Sequence, residues 1–453
     1  MTVAERFAAH VRNTRFAELS QDARQQAAVF LLDSLGVGIA GSSVEGGDAL
    51  LRVAASWGQP AVSVWGRNVR LSAAAAAFMN AWQMHNQEFD CVHEPAVVHA
   101  MASVLPAALA AAERTGGVSG AELMTAIVVG ADIAAGLGLA ARAGFRFFRP
   151  ATAGGFGAVA AAGRLLGLDH ATLAAAFAWQ LAQASGTMQA HTEGSPILPV
   201  QIAFNVRAAL QSCELAALGF APARQVFEGP YGYLALFEDA SDIAPVLHGL
   251  GSDWRISEFS HKPFPAGRAT HGGIEGVMAL QTQHRFATPE LDCVEVSAPP
   301  LIARLVGRPS QATANASYAR LCMGYVVAKV LQHGRLDLTD FRGEALRDPL
   351  THALAARVAV RDDGNPDPNA LAPQAVAVHL KNGTVLRWHC STMLASPARR
   401  LTRDQHLAKF YRCCAFARDK LAPDAPPRLV QAVDNLEKLD NAGLLTCLAN
   451  AQV

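Results

Sequence analysis

Alanine-rich apolar runs with helical spacing fill the first 250 or so residues, each ended by a polar or glycine break. Ser20 precedes QDARQQAAVFLLDSL, whose apolar face falls at Ala27, Leu31, Leu32 and Leu35, and its hydroxyl is placed to cap free N–H groups. Ser72 stands in the same way before AAAAAFMNAWQMH. Ser119 and Glu122 form the two halves of a capping box ahead of a long apolar segment. GGFGAVAAAGRLLGL (154–168) starts on glycines and stops at Gly167, and LPVQIAFNVRAALQSCELAALG (198–219) stops at Gly219. Alanine at so many inward positions lets helices approach closely, which predicts a tight bundle. No fixed-period repeat appears, so a solenoid is excluded.

The pattern changes near Ser260. LDCVEVSAP (291–299) and ARVAVRD (356–362) read as strands, and 375–389 reads as a hairpin turning on Asn382-Gly383. Between them, 314–334 has helical periodicity with a glycine stop, and past Pro397 the chain returns to helix. The expected fold is mainly α. A large all-helical domain (1–260) is joined to a smaller α+β domain (261–397), with a helical tail (398–453) packing back on the helical domain.

Composition narrows the classes of partner. The 453 residues are 51% hydrophobic and 17% charged, enough apolar surface for a large core and against wholesale disorder. Lys+Arg and Asp+Glu both number 38, and no basic stripe stands out, which argues against nucleic acid. Eight cysteines without a C-x-x-C pair, and an N-terminus lacking an apolar signal core, fit a cytoplasmic protein. The most membrane-like stretch, 124–141, carries Asp132 at its middle and reads as a buried helix, so no membrane partner is expected.

Because charge is sparse, its clusters carry information. HNQEFDCVHEPAVVH (85–99) gathers His85, Glu88, Asp90, His93, Glu94 and His99 between two alanine-rich helices. Buried ionisable groups are costly unless paired or functional, so the segment is a candidate site, even though any one of these residues could simply satisfy a neighbour. Zinc ligation by its histidines lacks a helical i, i+4 pair. HKPFPAGRATHGGIEG (261–276) is the second cluster, with Lys262, Arg268 and His271 around a turn that could receive a carboxylate; the alternative is a solvated linker. Tyr325 lies in an apolar run and reads more readily as core. Gly155-x-Gly157-x-x-Ala160 formally fits a dinucleotide fingerprint but lacks the strand that must precede it. Its glycines, at a helix start, could instead offer N–H groups to an anion.

In this order, these segments resemble the MmgE/PrpD family. FLLDSLGVGIAGS (30–42), the segment 76–113, GGFGAVAAAGRLLGL, 214–237, HKPFPAGRATHGGIEG and SYARLCMGYVVAKVLQHGRL follow the family's succession over about 400 residues. The resemblance implies a helical domain joined to a smaller α+β domain, a homodimer, and an active site between the domains. It also implies proton-transfer chemistry on a small di- or tricarboxylate, without metal or organic cofactor. The implied activity is that of a lyase, a dehydratase (hydro-lyase) or decarboxylase (carboxy-lyase). An epimerase or isomerase on the same scaffold, or a non-catalytic metabolite-binding paralogue, are the alternatives. Carried onto this chain, the catalytic roles fall on Glu88, Asp90, His93, His99, His271 and Tyr325, with His99 as general acid/base. Lys262 falls on a carboxylate-binding position, and Arg268 offers a second cation. Several positions depart from the pattern: Cys91 replaces an acid, Val92 a threonine, Phe148 a histidine and Leu198 a lysine, and Glu88 stands as a longer but equivalent carboxylate for an aspartate. The loss of cations points to a smaller or less charged substrate, with Arg149 or Arg207 as replacements.

Overall fold

The computed structural model describes residues 1–144 and 146–450. Its first half is a bundle built around the helices Ala73–His85, Ala100–Arg114, Gly120–Ala140, Arg149–Leu165 and Leu198–Ala216. Small residues set how closely these helices approach. A Cβ on Gly157 would lie 2.5 Å from the Gly130 carbonyl oxygen, and one on Gly154 would lie 2.4 Å from Ser103 Oγ. These glycines therefore serve as contact points inside a helix. The sequence reading put them at a helix start with free N–H groups. Pro150 instead opens this helix, within its first turn where a missing N–H costs nothing, so the glycines fall a turn or more inside.

Gly120–Ala140 is long and apolar enough to cross a membrane by length and composition, and it is buried in the bundle. Its Asp132 is satisfied by His10 Nε2 at 3.0 Å and by the Arg255 backbone N–H at 2.8 Å. Caps follow the sequence in part. Ser20 accepts from the Ala23 N–H and Ser119 from the Glu122 N–H. The Glu122 carboxylate is drawn away to Arg164 at 2.8 Å, and Ser72 donates to the Trp57 carbonyl instead of capping.

The smaller domain holds a four-stranded sheet in the order Val358–Asp362, Leu291–Ala298, Gln374–Leu380, Val385–Cys390. The first pair is parallel and the others antiparallel. Val294, Val296, Val376 and Val378 alternate inward, and the helices His271–His284 and Met323–His333 join them in one core. The expected single helix over 314–334 is two pieces, Ala316–Arg320 and Met323–His333. The Arg320 carbonyl accepts the Gly267 N–H at 3.0 Å, and Cys322 is extended, so the helical ladder cannot run through. The C-terminal helix Arg403–Cys414 lies along Gln21–Gly41, where Gly36 faces Phe410 and Lys409 pairs with the buried Asp33 at 2.7 Å.

Gly157→Val should force the Arg149–Leu165 and Gly120–Ala140 helices apart. Overpacking of this kind costs about 1–3 kcal/mol, so thermal unfolding should begin several degrees lower, whereas Gly167→Asn, at a left-handed helix stop with open space around it, should change the midpoint little.

Candidate active site

The loop joining Ala73–His85 to Ala100–Arg114 carries the first charged cluster. Glu88 and Val97 hold left-handed backbones, with φ of 50° and 52°, a conformation that disfavours non-glycine residues and a β-branched one most of all. The surrounding bonds enforce it. Val92 and Ser260 exchange backbone bonds at 3.0 and 2.8 Å, tying the loop to the strap that enters the smaller domain. His93 and Val98 pair reciprocally at 2.9 and 3.3 Å. The His93 ring accepts the Ala96 N–H on Nδ1 and donates from Nε2 to Glu258 at 2.7 Å.

At the centre is Asp90, with 0% of its surface exposed. Its carboxylate accepts from His85 Nδ1 at 3.0 Å and from His99 Nδ1 at 3.0 Å. Lys262 Nζ lies 3.8 Å from the same carboxylate and donates to Glu88 Oε2 at 2.8 Å. His85 Nε2 stands 3.5 Å from Glu88 Oε1. A carboxylate can only accept, so both imidazoles carry hydrogen on Nδ1, and the Nε2 of His99 is the ring nitrogen left to the cleft.

The two rings are pushed in opposite directions. Burial lowers the His99 pKa, and Lys262 adds to this against the pull of Asp90, so the ring rests neutral. For His85 burial also opposes charge, but Asp90 and Glu88 together outweigh it and raise the pKa. Burial alone would raise Glu88, yet Lys262, His85 and His99 bring it down to about 2. Asp90 is likewise held well below its ordinary value, its burial overcome by the two imidazoles and Lys262. Two groups on one carboxylate with divergent pKa values are what acid–base chemistry near neutrality requires.

The cleft beside His99 runs between the domains. His85, Glu88, His191 and Arg268 supply its polar lining, and Phe148, Val97, Met188, Leu305 and Leu371 its apolar walls. Of the residues named from the sequence, the structure gathers Glu88, Asp90, His99 and Lys262 into one constellation. His93 lies behind it as a brace for the loop. His271 is buried with Nε2 against the Ala266 carbonyl at 3.1 Å, kept neutral by burial and then by Arg268 and Lys262, and it does not line the cleft. The Tyr325 hydroxyl donates to the Asp340 and Ala345 carbonyls, 2.6 and 2.9 Å away, and the residue does not line the cleft. Arg268 reaches the cleft wall, but its guanidinium is engaged by Glu94 at 2.7 Å and the Leu394 carbonyl at 2.8 Å. Arg149 forms a two-pronged buried pair with Glu238 at 2.9 and 3.0 Å. Arg207 lies over Trp57, outside the cleft. Neither of the last two therefore replaces a missing substrate cation.

Two residues were missed as site members. His85 was visible in the first cluster, and its place as the last residue before the loop, five before Asp90, was the available signal. His191, in the short helix Gln189–Glu193, had none. It lines the cleft, with burial and then Arg308 lowering its pKa to about 4. Among the described residues two groups have metal-like donor spacing, His85/Asp90/His99 and Asp33/His261/His406. In each, an ammonium already stands where a cation would sit, Lys262 beside Asp90 and Lys409 beside Asp33, and the donor sets do not fit a resident metal.

Residues 5–246 match the MmgE/PrpD N-terminal domain and residues 264–425 the MmgE/PrpD C-terminal domain. The chain belongs to the MmgE/PrpD family. It is 26% identical to the cis-aconitate decarboxylase of Homo sapiens, over 99% of this chain and 94% of that one. It is 28% identical to a cis-aconitate decarboxylase-like protein of Aspergillus oryzae over 81% of each, and 29% identical to the cis-aconitate decarboxylase of Aspergillus terreus over 60% and 58%. This MmgE/PrpD protein is thus related to carboxy-lyases. Its departures from the family pattern are now located. Phe148 lines the cleft and packs on His85, with ring centroids 5.8 Å apart. Leu198 is buried in the bundle, and Cys91 is buried where Asp33 and Asp90 add to burial in raising its pKa.

Two outcomes follow. His93→Ala removes a brace for two strained residues, at a cost of about 1–3 kcal/mol for unsatisfied buried partners, and should lower the Tm by several degrees. Glu88 has its pKa depressed from 4.5 to about 2, so its stabilising share is complete above 4.5 and is lost as pH falls toward 2. Glu88→Gln should therefore lower stability at neutral pH and flatten its decline with acid in urea titrations; an unchanged acid slope would remove this carboxylate from the ion cluster.

Proposed function

We propose that this MmgE/PrpD protein is a cofactor-independent lyase acting on a small di- or tricarboxylate, with decarboxylation as the first reading. The observation that carries it is the Asp90-centred pair of imidazoles, one neutral and facing the cleft, the other held toward its charged form. The relatives named as cis-aconitate decarboxylases support the carboxy-lyase reading.

In the resting site His99 is neutral, ready to accept a proton at Nε2. An anionic substrate beside it favours the imidazolium, because opposite charge stabilises the charged form. A polycarboxylate thus arms His99 as an acid, with Asp90 holding the ring and His85, its centroid 4.7 Å away, as a neighbouring proton reserve. For an unsaturated acid, the bond to the departing carboxylate breaks and its electron pair becomes the new double bond. The displaced π pair then takes the proton from His99, and CO2 leaves. The apolar walls at Phe148, Leu305 and Leu371 shield the developing carbanion from water and favour a substrate with few charges. The neutral resting state of His99 also suits abstraction of a proton next to a carboxylate, the opening step of a dehydration or epimerisation.

The test is a thermal-shift screen with small di- and tricarboxylates, then NMR of each hit in D2O. CO2 release with one deuterium in the product establishes the decarboxylase. Loss of water to give an alkene shifts the assignment to dehydratase, and deuterium in an unchanged skeleton shifts it to epimerase. Protection without turnover would overturn the catalytic reading. His99→Ala should cut kcat/KM by roughly 10²–10⁴ while the Tm stays within a few degrees; full turnover in that variant would remove His99 from its role.

A further inference from the structure

Arg320 is 2% exposed, and its Nε has no hydrogen-bond partner. Among the described residues no carboxylate lies within ion-pair distance of its guanidinium, which rests over the Phe341 ring at 4.7 Å. Burial and then the neighbouring Arg342 lower its pKa to about 9 against a longer-range pull from Glu88, so it is charged at neutral pH with no carboxylate in direct contact. A buried cation of this kind is costly to maintain unless something pairs with it.

Arg320 borders a cavity of about 460 Å³ between Ser43–Glu45 of the helical domain and segments 313–316 and 341–347 of the smaller one. Arg342 lies on the same cavity, its Nη2 donating to Ser43 Oγ at 2.8 Å, and Arg347 is on the exposed rim. The opposing charges are Glu45, exposed at the edge, and Glu344, which pairs with Arg347 at 3.7 Å. Neither meets Arg320. The cavity shares no lining residue with the His99 cleft.

We propose that this cavity is a second, non-catalytic binding site for a small molecule bearing a compact oxyanion, phosphate or carboxylate, with Arg320 as its buried anchor and Arg342 as its second arm. The planar guanidinium matches either oxyanion with two parallel hydrogen bonds. The site is also wired to the catalytic cleft, because the Arg320 carbonyl holds the Gly267 N–H at 3.0 Å and both Gly267 and Leu321 line that cleft.

The test is calorimetric titration of the full-length protein with inorganic phosphate and, separately, with acetate, at ionic strength matched with chloride. Saturable binding of at least one is expected, and which one binds identifies the oxyanion. Arg320→Met, which replaces the charge with an apolar chain of similar length, should weaken that binding at least tenfold and leave the ligand-free Tm equal or higher. Arg342→Met should weaken it several-fold, and His99→Ala should leave it unchanged. No saturable binding, or undiminished binding in both arginine variants, overturns the site. Binding lost in His99→Ala also overturns it, since the ligand is then in the catalytic cleft. A drop in Tm for Arg320→Met with phosphate or carboxylate binding intact in Arg342→Met assigns Arg320 a structural role instead.

Discussion

A single carboxylate, wholly removed from water, organises the junction between the two domains. Asp90 could not stay ionised alone at 0% exposure, because the loss of hydration would exceed anything the fold returns. It is ionised because His85 arrives from the end of one helix, His99 from the start of the next, and Lys262 from the strap into the smaller domain. Each donor comes from a different segment, so the carboxylate is satisfied only when the loop, both helices and the strap are in place. The left-handed backbones at Glu88 and Val97 make sense in this light. The loop is bent to bring its acids inward, and the Val92–Ser260 and His93–Glu258 bonds offset the strain.

How far the sequence foretold this depends on the range of each interaction. Charge gathered at 85–99 in a chain with little of it was visible without coordinates, as were the strands, the hairpin at Asn382-Gly383 and most helix ends. Those signals are local, carried by spacing or by a single turn residue. The choice among the histidines was not local. His93 and His99 look alike in sequence, and what separates them is Glu258, 165 residues further on, which claims one and leaves the other for Asp90. Arg149 looked free because Glu238 is 89 residues away. The same holds for Tyr325, whose hydroxyl is taken by carbonyls beyond its own helix. The glycines at 154–157 were legible as special but not as packing points, since the residues they touch lie on other helices.

Apart from Glu88, which keeps a carboxylate beside Lys262, the departures from the family pattern fall outside the Asp90 cluster. Cys91 is buried and does not line the cleft, and Leu198 belongs to the bundle interior. Phe148 and Val92 line the cleft, and Phe148 presents an apolar face to His85. The buried Asp90 cluster is kept, and the apolar lining of the cleft is altered. That division favours a changed substrate over a lost activity, because a decaying site has no reason to retain a buried, fully paired carboxylate cluster that would be cheaper to replace with apolar residues.

The charge balance of that cluster also explains why the substrate should be an anion even though the free cations are few. Glu88 and Lys262 neutralise one another at 2.8 Å, and Asp90 is matched by the imidazole that carries its charge most readily, His85. The resting cleft is therefore close to neutral, with His99 uncharged because burial and Lys262 together outweigh Asp90. A neutral ligand entering would exclude water and hold His99 in that uncharged form. On the proposed reading an anion does the reverse: it adds to the pull of Asp90 toward a protonated ring, and so creates its own binding cation and its own acid in one step. Under the proposed function recognition and activation are then a single event, and a site short of positive charge when empty acquires it on binding.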